Sequence, residues 1–297
     1  MIRRLLFLAL ACLCFVLGII SLSCSDSGAD AKLPKLPPMG VDPYPGLQRS
    51  DVTLAIELSD ERPIRTIFRA LPWQPADSEY AHSVAEKLGV VGEPKQEADG
   101  SYIVKSELGE VEIRQSVGNF DYTPSVPKAT SVSSAQPGDD ELKAAAEAFL
   151  SGHDLLPQHA RAVSVSYNEY TSRRTVRIED ERLTPSLGLT PFINVNFEAG
   201  AVSSVGSRWQ PIEALGDYPL LSEKEAFERL FKDKGRIGIM TDKAVTISSV
   251  QLAFHVTGNQ EEGIPTFFPF YYFRGEKDSQ YAWVPAVPDK YLEKPPQ

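Results

Sequence analysis

The chain has 297 residues, 42% of them hydrophobic, and carries 30 Lys and Arg against 40 Asp and Glu, a formal net charge of −10. That length suits one large domain or two small ones, and the acidic balance excludes the basic face that nucleic acid demands. All three cysteines, Cys12, Cys14 and Cys24, lie at the N-terminal end, so no disulfide framework, thiol nucleophile or cysteine-based metal site is available further along.

The start, Met1-Ile2-Arg3-Arg4, precedes an apolar run from Leu5 to Leu22, the charge order of an export signal. The run ends at Ser21-Leu22-Ser23-Cys24 and turns abruptly polar. This resembles a bacterial lipoprotein signal, in which the cysteine after the cleavage site is acylated and becomes the mature N-terminus. The resemblance implies a signal peptide over 1–23, lipidation at Cys24 and a membrane-anchored body on the extracytoplasmic face. An uncleaved membrane helix is the second reading, since 18 apolar residues are about the minimum for a span. Plain secretion is the third. Loss of Arg3 and Arg4 leaves 28 basic against 40 acidic residues, a net of −12.

Residues 24–47 form a Pro-rich tether. The stretch from Leu33 to Leu47 holds five prolines, which exclude a helix and favour extended geometry.

Three segments read as amphipathic helices. Asp77 to Leu88 places Tyr80, Ala81, Val84, Ala85 and Leu88 at helical spacing and stops at Gly89. Asp139 to Leu150 opens with three acids that complement the helix dipole. Ser222-Glu223-Lys224-Glu225 is a capping box heading a helix through Phe227 and Leu230 to Gly235. Between them lie strand patterns. Tyr102–Lys105 and Val111–Arg114 flank Glu107-Leu108-Gly109, and Phe192–Phe197 and Val202–Val205 flank Glu198-Ala199-Gly200, two hairpin signals. Ala162–Tyr170, Thr175–Ile178, Val245–Val256, Phe267–Phe273 and Tyr281–Val284 also read as strands.

The order helix-then-strands occurs three times. It predicts an α+β fold of repeated helix-plus-antiparallel-meander modules, with sheets covered on one face by helices. A Pro- and Ser-rich stretch over 123–138 predicts a linker between a small unit at 48–122 and a larger one of two modules at 139–290.

The stretch Gly200-Ala201-Val202-Ser203-Ser204-Val205, followed by Tyr218-Pro219-Leu220-Leu221-Ser222 and Glu225-Ala226, resembles tandem PepSY-like modules and the YycH/YycI type of extracytoplasmic accessory protein. The resemblance covers roughly 139–288. It implies an envelope-anchored, non-catalytic interaction or regulatory domain, and it carries over no catalytic residue; the expected partner, an envelope protein or peptide, is not fixed by it.

The residues themselves point the same way. No metal spacing links His82, His153, His159 and His255. Neither a G-x-S-x-G elbow nor a phosphate-binding glycine loop occurs, and no cofactor is expected. Glu179-Asp180-Glu181 and Glu261-Glu262 offer carboxylate pairs for a hydrolase, but both read as solvated charge runs in loops. The aromatic end is the stronger candidate. Alternation puts Phe268, Phe270 and Tyr272 on one face and Phe267, Tyr271 and Phe273 on the other, with Tyr281 and Trp283 on the next strand. One face belongs to the core. A second face left open is a partner or ligand surface, and Trp209 and Trp283 are candidates to line a pocket for peptide or glycan.

Overall fold

The computed structural model describes residues 33–37, 49–72, 75–114, 119–128, 130, 137–187, 190–232, 238–239, 244–258, 264–277 and 280–293. The predicted signal, Cys24 and most of the Pro-rich tether lie outside them, as do Glu261 and Glu262.

In chain order the elements are β1 (Val52–Leu54), β2 (Ile64–Ala70), α1 (Ser78–Lys87), β3 (Lys95–Gln96), β4 (Tyr102–Ser106), β5 (Gly109–Ile113), β6 (Phe120–Pro124), α2 (Asp139–Gly152), β7 (Ala160–Asn168), β8 (Arg173–Asp180), β9 (Phe192–Glu198), β10 (Ala201–Arg208), β11 (Ile212–Pro219), α3 (Glu223–Lys232), β12 (Gly238–Ile239), β13 (Val245–Gly258), β14 (Pro265–Gly275) and β15 (Tyr281–Pro285).

The strands build two sheets. The first is antiparallel throughout, in the order β3-β4-β5-β6-β10-β9-β8-β7. Its β9–β10 turn holds Ala199 at φ 47° and Gly200 at φ 79°, the left-handed pair that a tight hairpin needs. Helices α1 and α2 cover one face. In α1 the Asp77 side chain accepts the Tyr80 N–H at 2.8 Å, which caps the helix and buries Ala81, Val84 and Ala85. In α2 the buried stripe is Leu142, Ala145, Ala146 and Leu150. They meet Val104, Val111, Ile113, Val176, Ile178, Ile193, Val195 and Phe197 in one core. Each such side chain contributes roughly 1.5–3 kcal/mol on burial. The opposite face is polar, because alternate residues such as Thr175, Arg177, Asn194, Asn196 and Ser204 point there.

The second sheet centres on β14. Strand β13 pairs along its length, β2 pairs at Thr266–Phe267, and β15 pairs from Phe270 to Arg274 on that same edge. Parallel β1 extends β13, β12 extends β15, and β11 pairs with β2. Helix α3 packs its Phe227 ring 5.9 Å from Phe273, and the buried Tyr271 hydroxyl donates to the Leu221 carbonyl at 2.9 Å.

The α+β modules expected from the sequence are corrected by this topology. The protein is mostly β, with two large sheets and three α-helices among the described residues. A helix with its own strands does not close as a unit. The last strand of one meander, β6, pairs with the last strand of the next, β10, because each would otherwise leave a row of unpaired N–H and C=O groups. Residues on both sides of 123–138 therefore share one sheet and one core. The second sheet recruits β1 and β2 from before α1.

Candidate functional site

Register fixes which way the aromatic end points. Tyr272 sits opposite Trp283 and Arg274 opposite Tyr281, so these four share a face with Phe268 and Phe270. On that face the rings form a continuous row. Tyr272 to Tyr281 is 5.5 Å between centroids, Tyr281 to Trp283 is 5.6 Å, Trp283 to His255 is 5.6 Å and His255 to Phe270 is 5.4 Å. The guanidinium of Arg274 lies 5.7 Å from the Tyr272 ring centre. Phe268 and Phe270 are buried, while Tyr272, Tyr281 and Trp283 are half-buried. On the other face, Phe267 packs with Phe68 and Phe254, and Tyr271 and Phe273 lie under α3. Two of the surface residues expected from the sequence are thus core, and three remain partly open.

Trp209 stands elsewhere, on the link between β10 and β11, against the core of the first sheet. Two chain crossings run side by side here. Leu71, leaving β2, donates its N–H to Pro211 O at 2.8 Å, and Gln210 Nε2 donates to Leu71 O at 2.7 Å. Between these crossings, the start of α1 and the loop after α2 lies a groove of about 650 Å³. Its walls are mainly Leu71, Tyr80, Leu155, Leu156 and Trp209, with prolines at 72, 75, 157 and 211. Polar groups stand at its margin. Lys87 Nζ lies 3.0 Å from the Asp154 carboxylate and donates to its carbonyl, so that charge is already matched. Burial pushes the Tyr80 hydroxyl above its ordinary pKa. A pre-formed groove that sets aromatic and aliphatic walls beside polar groups such as Asp77, Ser83 and Ser207, at a seam between two sheets, has the character of a ligand site. A larger hollow of about 760 Å³ lies under Phe68, Leu252 and Phe254. Its lining combines these apolar side chains with Arg65, Arg182 and Asp217.

Sequence reasoning singled out Trp209 but missed its partners. In the sequence Tyr80 falls on a helix stripe, which gives no sign of a second role. Leu71, Leu155 and Leu156 lie in connections, and only the prolines beside them mark the place.

Of the acidic run at 179–181 only Glu181 is exposed, which corrects the expectation of a solvated loop for Glu179 and Asp180. Glu179 and Asp180 end β8 and are 5% and 1% exposed. Glu179 accepts from Arg177 Nε at 2.5 Å and from the Ser186 hydroxyl at 2.9 Å. Asp180 accepts from Arg182 at 2.9 and 2.6 Å. Both carboxylates are consumed by structural pairs, and they leave the strand on opposite faces. Of the histidines, His153 shares a hydrogen bond with Lys87 O at 2.6 Å and His159 lies 3.4 Å from Glu181. Among the described residues no three His, Cys, Asp or Glu side chains gather as a metal site, and no helix is long and apolar enough to cross a membrane.

No family model matches the chain, and no curated protein matches it. Among solved structures it is similar to an uncharacterized protein from Eubacterium rectale ATCC 33656, at 10% identity and a TM-score of 0.40, over 75% of this chain and 84% of that one.

Proposed function

We propose that this is a non-catalytic binding protein of the cell envelope, anchored through lipidated Cys24, and that the Trp209 groove takes an extended apolar segment of an envelope protein or peptide. The groove carries the reading: about 650 Å³, walled by Trp209, Tyr80, Leu71 and Leu156, with its one lysine already paired. Tryptophan and tyrosine in a recess are the side chains on which binding energy concentrates. The signal-like N-terminus and the resemblance to PepSY-like and YycH/YycI-type modules support the envelope setting and a regulatory role.

The test uses the full chain with Trp73→Phe and Trp283→Phe, which leaves Trp209 as the only tryptophan. Apolar, proline-containing peptides should shift its fluorescence saturably, charged peptides should not, and Leu156→Asp should remove the response. Absence of a saturable shift with any peptide would refute the groove. Anchoring is tested separately: metabolic lipid label should disappear in Cys24→Ala, and an unlabelled wild-type chain that still fractionates with membranes would mean a retained helix.

A second reading rests on the row of rings at Tyr272, Tyr281 and Trp283. Half-buried rings in line suit the apolar faces of a glycan. Oligosaccharide titration against Trp283→Ala separates this from the peptide reading.

A further inference from the structure

The polar groups of the Trp209 groove ask for a particular occupant. Ser207 is only 5% exposed, and its register opposite Phe120 and Ile193 sets it with them on the groove floor. Its hydroxyl has no hydrogen-bond partner among the described residues. The half-buried Trp209 indole N–H, two residues on, has none either. An indole can only donate and a hydroxyl donates readily. Polar groups left unmatched in so dry a place cost free energy that a ligand carrying acceptors recovers.

The walls select the conformation of that ligand. The lining residues at 72, 75, 157 and 211 are prolines and have no N–H to give. The Leu71 N–H is spent on Pro211 O and the Leu155 N–H on Leu150 O, both at 2.8 Å. A partner entering as a β-strand needs N–H and C=O groups in alternation and finds no such ladder here. A polyproline II segment needs none. It makes no internal hydrogen bonds, its prolines carry no N–H, and its carbonyls stand outward as acceptors. Proline rings also pack well in grooves lined by aromatic side chains, the role open to Trp209 and Tyr80. Resting on the groove reading above, we infer that the occupant is a proline-rich segment of another envelope protein, bound in polyproline II form. Two of its carbonyls accept from the Ser207 hydroxyl and the Trp209 indole. The chain's own proline stretch is tied at both ends to groups that do not line the groove: Leu36 N–H donates to Tyr291 O at 2.8 Å, and Arg49 pairs with Glu228.

Calorimetric titration of the full chain in mild detergent tests this with two capped hexapeptides, Leu-Pro-Pro-Leu-Pro-Pro and the strand-forming Leu-Thr-Val-Leu-Thr-Val. The proline peptide should bind about tenfold more tightly or better, since it is pre-organised and asks nothing of the wall. Ser207→Ala should weaken it about fivefold, the worth of one neutral hydrogen bond, and leave the weaker peptide unchanged. An unaltered urea midpoint shows that Ser207→Ala still folds, and Trp209→Phe, which keeps a ring and loses the N–H, is the second variant. Equal binding of the two peptides would overturn this inference and leave the groove as a general apolar site. Binding of neither would remove the groove reading with it. Indifference of the proline peptide to both variants would overturn the donor roles. Replacing residues 38–46 by a Gly-Ser stretch of equal length should change nothing. A large gain in affinity there would make the chain's own prolines the occupant and overturn the assignment to a partner.

Discussion

Asp180 and Glu179 are neighbours in the chain and are held by different arginines on opposite faces of β8, Asp180 by Arg182 and Glu179 by Arg177. The Asp180 side chain is only 2% exposed, while that of Arg182 is 33% exposed and its guanidinium lies 5.3 Å from the Phe68 ring centre in the second sheet. The pair therefore stitches the two sheets together. Arg182→Gln strands a buried carboxylate and should lower stability by about 2 kcal/mol, less than for a fully buried pair because the arginine is partly wet. Asp180→Leu with Arg182→Met should recover most of that loss. Urea midpoints of the three chains check it.

Burial pushes the Tyr271 hydroxyl up to about 12, with a further push from the negative charge of Glu223. The folded state holds this proton more tightly than the unfolded chain, whose tyrosine titrates near 10. Stability from Tyr271 is therefore complete below pH 10 and is lost as pH rises from 10 towards 12. Tyr122 and Tyr218 are displaced in the same direction by burial. Tyr271→Phe should flatten the alkaline fall in the urea midpoint without abolishing it.

The head of α3 is closed by a reciprocal cap. Ser222 N–H donates to Glu225 Oε2 at 2.9 Å, and Glu225 N–H donates to Ser222 Oγ at 3.2 Å. Ser222→Ala should cost about 1 kcal/mol in thermal or urea unfolding. The Arg62 guanidinium and the Ser222 N–H hold the Glu225 carboxyl below its ordinary pKa. Its contribution is present at neutral pH and fades as pH falls through the carboxylate range, so the difference between wild type and Glu225→Gln should shrink in acid.

Gly109 begins β5 with φ at 155°, and a Cβ there would lie 2.7 Å from the Thr123 carbonyl oxygen. Backbone cannot step aside as a side-chain end can. Gly109→Ala should cost about 2 kcal/mol or more by pushing β6 from β5. At Gly89 a Cβ meets nothing within 4 Å, so Gly89→Ala should cost only the penalty of its φ of 74°, about 1 kcal/mol. Comparing the two melting temperatures isolates the contact.

Local signals were readable and long-range ones were not. The hairpins at 102–113 and 192–208 announced themselves through alternation and a glycine turn, and the Ser222 box announced α3. Strands β2 and β11 carry mixed patterns that make sense only once paired, Ile212 with Ala70 and Pro219 with Ile64, far apart in the chain. The modular α+β reading failed for the same reason. Nothing in the residues of β6 says that its partner is β10. For the candidate site, period-two alternation located the faces of the aromatic strand, but what covers each face is set by α3 and by β2. The groove at Trp209 is made where two connections cross, a place with no periodicity to read.

The pairing of β6 with β10 has a temporal side. A chain that emerges N-terminus first completes β6 and then waits until Ser207 and Val205 appear before that edge is satisfied. Strand β1 waits longer still, since Val52 has no neighbour until Val245 has been delivered. The first sheet is thus finished before the second can begin to close. Until then β1 and β2 are unpaired passengers, and a holdase acting on the nascent chain would find its clients in residues 52–70 rather than in the aromatic strands made at the end.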